Sequence, residues 1–274
     1  MAQITAKQVN ELRGKTGLGM MECKKALSET GGDVDKAIDY FRKKGVKTSI
    51  SERAANEGRV NALVSPDRKR GAIVEVNCNT DFTAKSEPLA RIAATAAEKL
   101  LADPTALLAN DPLINDALVS VAQQTGENVR IGRTASLTST TGRIGSYVYS
   151  VGEKGKIAVL VAVSGNADED LIRNLGVHIA ASRPIAMTRQ EISPQIVAKE
   201  KEIAIEQAKA TGKPQEIAEK IADGKMKSFY AEKVLMDQEF ANTEVYKGTV
   251  ANFLKSKGAT LEKYRRLEVG QAAE

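Results

Sequence analysis

The strongest constraint on this 274-residue chain is that part of it occurs twice. Gly58-Arg59-Val60 returns as Gly142-Arg143-Ile144; at the same offset Gly71 and Ile73 return as Gly155 and Ile157, and Ala96-Ala97 as Ala180-Ala181. Each copy reads as two β-rich runs joined by a charged turn, at 66–70 and 152–154, followed by an Ala-rich helix. A half of this size buries too little apolar surface to stand alone. The two halves are therefore expected to pack as one α+β core with antiparallel sheets. Helical segments around 104–124 and a strand candidate at 127–138 lie between them, and Tyr264-Arg265-Arg266-Leu267-Glu268-Val269 reads as the closing strand.

The first fifty residues predict three short helices. Thr5 and Gln8 have the spacing of a capping box, with Ile4 and Val9 as its hydrophobic staple. A break follows at Gly17 and Gly19, and a second helix over about 20–30 ends at Gly31-Gly32, where positive φ closes the last turn. Asp33 caps a third helix whose Val34, Ala37, Ile38 and Phe41 form one apolar stripe, with Gly45 as its stop. The reading divides the chain into a three-helix unit at 1–46, a polar linker at 47–57, a first core half at 58–140 and a second at 141–274.

The second half carries an insertion. Ser193-Pro194 starts a helix to about 210, and Thr211-Gly212-Lys213-Pro214 ends one helix and begins another. An antiparallel helical hairpin over about 193–238 follows, with Ile196, Ile203 and Ala210 facing Ile217, Ile221, Met226 and Phe229 across the expected seam.

Known chemistries are hard to place on this sequence. Gly14-Lys15-Thr16 resembles the tail of a phosphate-binding loop, but Val9 stands where that loop needs glycine and no apolar strand precedes it. The one histidine, His178, has no metal-ligand partners at useful spacing; packing and a partner contact are the two readings left for it. Cys23 and Cys78 lack metal or redox spacing and read as buried thiols. Forty Lys and Arg against thirty-five Asp and Glu are spread along the chain, which argues against a nucleic-acid footprint. No run approaches the roughly 18 apolar residues of a membrane span, and no presequence pattern follows Met1, so a cytoplasmic protein is expected. No catalytic residues, metal or cofactor are assigned.

One segment stands out, Glu75-Val76-Asn77-Cys78-Asn79-Thr80-Asp81-Phe82-Thr83-Ala84-Lys85. A strand ends at Asn79, and a carboxylate and an aromatic then stand where the chain turns toward a helix. The sister copy has Ser164-Gly165-Asn166 there. With five Phe and no Trp in the chain, Phe82 is either an anchor for a partner pocket or a side chain folded back on its own core.

This segment resembles the central motif of the elongation factor Ts family, Glu-Val-Asn-Cys-Gln-Thr-Asp-Phe-Val-Ala-Lys, with Asn79 and Thr83 replacing Gln and Val. Leu12-Arg13-Gly14-Lys15-Thr16-Gly17-Leu18-Gly19-Met20-Met21-Glu22-Cys23-Lys24-Lys25-Ala26-Leu27 resembles its amino-terminal signature. The likeness extends to residues 178–184, 212–220 and 266–270. The resemblance implies a non-enzymatic guanine-nucleotide exchange factor whose partner is the GTPase elongation factor Tu. It implies a ubiquitin-associated-like three-helix domain docking through Leu12, Arg13, Gly17, Met20 and Met21. Thr80, Asp81 and Phe82 would enter beside the partner's Mg²⁺ and phosphate site, His178 would touch the partner from the second half, and the hairpin would project as a contact arm.

Overall fold

The computed structural model describes residues 4–44 and 54–271. The expected helix stop at Gly45 and the linker up to residue 53 lie outside the described residues.

Three helices open the chain, α1 (Ala6–Thr16), α2 (Met20–Glu29) and α3 (Val34–Lys43). Their punctuation follows the sequence. Gln8 Oε1 accepts from the Thr5 amide at 2.9 Å while Thr5 Oγ1 accepts from the Gln8 amide at 3.3 Å, which closes the capping box. Gly31 and Gly32 both take positive φ between α2 and α3, and Asp33 Oδ1 accepts from the Lys36 amide at 3.0 Å. Leu12, Leu18, Cys23, Ala26, Leu27 and Phe41 close a small core of their own.

The core repeats one plan. β1 (Glu57–Val64), β2 (Arg70–Cys78) and β3 (Arg130–Thr138) form an antiparallel sheet in that order; α4 (Asp81–Lys85), α5 (Glu87–Ala102) and α6 (Pro112–Thr125) run between β2 and β3. β4 (Arg143–Val151), β5 (Lys154–Gly165) and β6 (Ala259–Glu268) form the second sheet, with α7 (Glu169–Ser182), α8 (Pro194–Ala210), α9 (Gln215–Lys233) and α10 (Val250–Lys257) between β5 and β6.

Strand periodicity sorts side chains into layers. On β2, Ala72, Val74, Val76 and Cys78 pack against α5 and α6, whereas Ile73 faces the other sheet. On β5, Val159, Val161 and Val163 pack against α7 and α10, whereas Ala158, Leu160 and Ala162 face the first sheet. The result is helix, sheet, sheet, helix, and it explains why both central strands read as continuous apolar runs. The repeated glycines sit where the sheets meet. A Cβ on Gly71 would lie 2.8 Å from Ile144 Cγ2, and one on Gly155 would lie 2.4 Å from the Val60 carbonyl oxygen. One buried carboxylate, Glu75, ties the first sheet to the segment after β6 by accepting from Arg133 Nε at 2.8 Å and the Gly270 amide at 3.1 Å.

Two expectations need correction. The final strand begins at Ala259 rather than near Tyr264, because Gly258 ends α10 with φ 63 and the strand follows at once. The hairpin forms as α8 and α9, but its seam is Ala204, Ala208, Ala218, Ala222 and Met226. Ile196, Ile203 and Ile217 stay 45, 36 and 47% exposed. With no third layer on the hairpin, two helices approach most closely through alanine, and larger side chains are left at the flanks. Lys201 Nζ and Asp223 Oδ1 bridge the arms at 2.9 Å. No described helix is long and apolar enough to cross a membrane.

Candidate functional site

β2 delivers the chain to a corner with almost no helix in it. α4 has five residues, too few to hold itself together, since forming a first helical turn is intrinsically unfavourable. Thr80 starts it, its Oγ1 accepting from the Thr83 amide at 3.3 Å, and Ser86 ends it in extended conformation while capping α5. The inner side of the turn carries Thr83 and Ala84, both buried; the outer side carries Asp81 and Phe82. Phe82 is 81% exposed, so it does not fold back on its own core. Asp81 is half-exposed beside it, and Lys85 Nζ lies 2.7 Å from its Oδ2. That hydrogen bond, with some help from the charge of Lys154, holds the Asp81 carboxyl below its ordinary pKa, so the tip is anionic at neutral pH.

Sequence reasoning missed what stands behind the corner. Glu127, directly after the Gly126 cap of α6, places both carboxylate oxygens on it. Oε2 accepts from the Asn79 amide at 3.0 Å and the Thr80 amide at 3.1 Å; Oε1 accepts from Thr80 Oγ1 at 2.6 Å and Thr83 Oγ1 at 2.7 Å. Burial on its own would raise the pKa of this carboxyl, but the hydroxyls of Thr80 and Thr83 and the two amides outweigh it and hold it below the usual value. A second support links the corner to the other half of the molecule. Arg59 on β1 donates to the Ala84 carbonyl at 3.5 Å and to the Glu153 carbonyl, in the β4–β5 turn, at 3.1 Å. Cys78, beneath the corner, is no nucleophile: burial first, then the charge of Glu127, pushes its thiol up to about 12.

The structure places His178 elsewhere. It is 1% exposed in α7, stacked on Phe240 with ring centroids 5.4 Å apart. Nδ1 accepts from the Ala241 amide at 3.0 Å, so Nε2 carries the proton and donates to Gln238 Oε1, also at 3.0 Å. Burial, opposed by the Gln238 hydrogen bond, keeps the ring below its ordinary pKa. Its ring is therefore packed in the second half, against Gln238, Phe240 and Ala241.

The amino-terminal residues divide the same way. Leu12 is core, and Arg13 is buried with its guanidinium on Asp116 of α6. The Gly17 carbonyl accepts from Gln123 Nε2 at 3.0 Å, so the three-helix unit rests on α6. Met20 and Met21 are 42 and 74% exposed. Gly14-Lys15-Thr16 forms the last turn of α1 and not a phosphate cradle. Among the described residues no group of three or more His, Cys, Asp or Glu side chains is placed to hold a metal ion.

Residues 79–271, beginning at the corner itself, match the family model described as Elongation factor TS. Curated proteins extend the likeness to the whole chain. Elongation factor Ts of Methylococcus capsulatus is 41% identical over 281 residues, covering 99% of this chain and 94% of that protein. Elongation factor Ts of Hyphomonas neptunium is 41% identical over 287 residues, covering 100 and 94%. That of Hydrogenovibrio crunogenus is 40% identical over 281 residues, covering 99 and 93%.

Proposed function

The chain belongs to the elongation factor Ts family, and from that premise we propose that it is a guanine-nucleotide exchange factor promoting GDP release from elongation factor Tu during translation. The observation that carries the mechanism is the outward Asp81-Phe82 tip on a turn braced from behind. The tip enters the partner beside its Mg²⁺ and phosphate site, where an anionic carboxylate and a rigid ring disfavour the bound ion and nucleotide together. No bond is made or broken by this chain, and it binds neither nucleotide nor nucleic acid itself. It acts in the cytoplasm, where translation runs.

Magnitudes decide how the work is divided. Lowering nucleotide affinity by about 10⁴ takes about 5.5 kcal/mol of differential binding, whereas burying one Phe provides about 1.5–3 kcal/mol. Phe82 therefore acts with help. The three-helix unit, through Met20, Met21 and the Gly17 turn that Leu12 and Arg13 support, supplies affinity, as do the core and the hairpin arm. His178 contributes by holding residues 238–241 in place through its two ring nitrogens. By linkage, a factor that weakens nucleotide binding is itself displaced by nucleotide.

The test is release of a fluorescent GDP from the cognate elongation factor Tu. The reading requires faster release on adding this chain, and a complex that GDP dissociates in a concentration-dependent way. Unchanged release would leave a plain binding protein.

A further inference from the structure

We propose that Glu127 is the positioning residue of the tip, the group that fixes which way Asp81 and Phe82 face. The inference rests on the tip reading given above. It starts from a problem the corner poses. A five-residue helix cannot orient its own side chains, and only one of its leading amides, that of Thr83, is satisfied by its cap. The amides of Asn79 and Thr80, just ahead of it, both donate to Glu127.

A carboxylate suits this place because it offers four lone-pair directions and takes no donor role. All four are used: two by amides on Oε2 and two by hydroxyls on Oε1. Hydrogen bonds to an ionised acceptor are roughly twice as strong as neutral ones. The Thr80 hydroxyl is also the helix cap. Because its hydrogen goes to Glu127, its lone pairs are left for the Thr83 amide, so the same carboxylate orients the cap. Thr83 is held through its side chain as well, and it lies one residue past Phe82 on the buried side of the turn. Fixing Thr80 and Thr83 to one point fixes the rotation of the turn between them, and hence the outward direction of residues 81 and 82.

Glu127 is itself immobilised. It follows Gly126, whose φ of 70 ends α6, and the Gly126 amide returns to the Ala122 carbonyl. The next amide, that of Asn128, donates to Asn79 Oδ1 at 2.8 Å, so the α6–β3 junction and the β2–α4 corner are joined in both directions. Glu127 is half-buried, with its carboxylate turned inward on these donors; a partner meets Phe82 and not Glu127.

Two substitutions separate positioning from mere presence. In Glu127→Gln, the amide oxygen accepts from the two backbone amides and the amide nitrogen donates to the two hydroxyl oxygens, which accept as readily as they donate. Glu127→Ala removes every bond. The experiment uses the full chain with elongation factor Tu and a fluorescent GDP, measuring the limiting release rate and the half-saturating concentration separately, beside amide hydrogen exchange of the free protein.

Glu127→Gln should stay within about threefold of the wild type in limiting rate, and Glu127→Ala should lose about tenfold or more with a much smaller change in half-saturating concentration. The loss should not exceed that of Phe82→Ala, and the double variant should match Phe82→Ala alone, since a misaimed tip and a missing one act on the same step. Protection of the Asn79 and Thr80 amides should persist in Glu127→Gln and vanish in Glu127→Ala. A wild-type rate in Glu127→Ala beside a slow Phe82→Ala overturns the proposal and leaves the tip reading standing, as do fully additive losses. If Phe82→Ala is as fast as the wild type, the tip reading falls; unchanged Asn79 and Thr80 protection in Glu127→Ala would then overturn the role of Glu127 as well. Should Glu127→Ala melt early, Thr83→Val, which removes one bond and keeps the shape, must show the same rate-only defect on a smaller scale.

Discussion

The two halves of the core leave their central strands differently. In the first, the chain quits β2 at Cys78, passes Asn79 and Thr80, makes the single turn of α4 and only then enters α5. In the second, it quits β5 at Gly165 and enters α7 directly after Asp168, whose Oδ1 caps the Leu171 amide at 2.7 Å. The second corner exposes no aromatic side chain and needs no outside carboxylate. The first projects an exposed Phe82 and recruits the distant carboxylate Glu127, whereas an arginine braces both corners alike, Arg59 on the Ala84 carbonyl and Arg143 on the Ala167 carbonyl. A duplicated scaffold thus lets one copy keep a plain corner while the other carries an exposed turn braced by a distant carboxylate. The shared parts provide the stability, and the unshared turn provides the proposed contact.

The largest test of this equivalence concerns the repeated glycines. Gly155→Ala puts a methyl group against the Val60 carbonyl, a backbone atom that cannot rotate away, and should cost about 3 kcal/mol. Gly71→Ala meets the side-chain ends of Ile144 and Leu160, which can shift, and should cost about 1 kcal/mol. Urea denaturation measures both; a larger loss at Gly71 would break the claim that the backbone contact at Gly155 is the less forgiving of the two.

The hairpin, present only in the second half, gives a test of intermediate size. Ala222→Leu should destabilise it by about 1–3 kcal/mol by forcing α8 and α9 apart, whereas Ile203→Ser at the flank should stay within about 0.5 kcal/mol. The reverse order, read from thermal melts, would restore the isoleucine seam.

The gentlest comparison is by pH. His178 has its folded pKa below the ordinary 6.5 because it is buried, so its contribution is whole above about pH 6.5 and fades as pH falls toward the folded value. Glu127 has its folded pKa below the ordinary 4.5, so its contribution is whole above about pH 4.5 and is lost only beneath it. On acidification, amide protection at Ala241 should therefore weaken before protection at Asn79 and Thr80, and His178→Gln should remove the earlier step. Loss in the opposite order would contradict the assigned protonation states.

The parts legible in the sequence are those fixed by local chemistry. Thr5 and Gln8, Gly31 and Gly32, and Ser193-Pro194 act on neighbours within one turn, so their spacing alone announces them. The duplicated plan was legible because close sheet contact forbids a side chain at Gly71 and Gly155 alike. The rest depends on residues far along the chain. Glu127 reaches Asn79 across 48 positions, and His178 is enclosed by Gln238 from 60 positions on, so neither spacing forms a motif. The hairpin seam depended on how closely the two helices approach, which large apolar residues at heptad spacing do not reveal.

The most direct test of the central claim is the limiting rate of fluorescent GDP release from elongation factor Tu, with saturating wild-type chain or Phe82→Ala. The side chain is 81% exposed, so removing it should leave the fold intact. The account predicts a limiting rate lowered by about tenfold or more, with the affinity of the complex changed far less. Equal losses in rate and affinity, or a limiting rate that does not change, would contradict it.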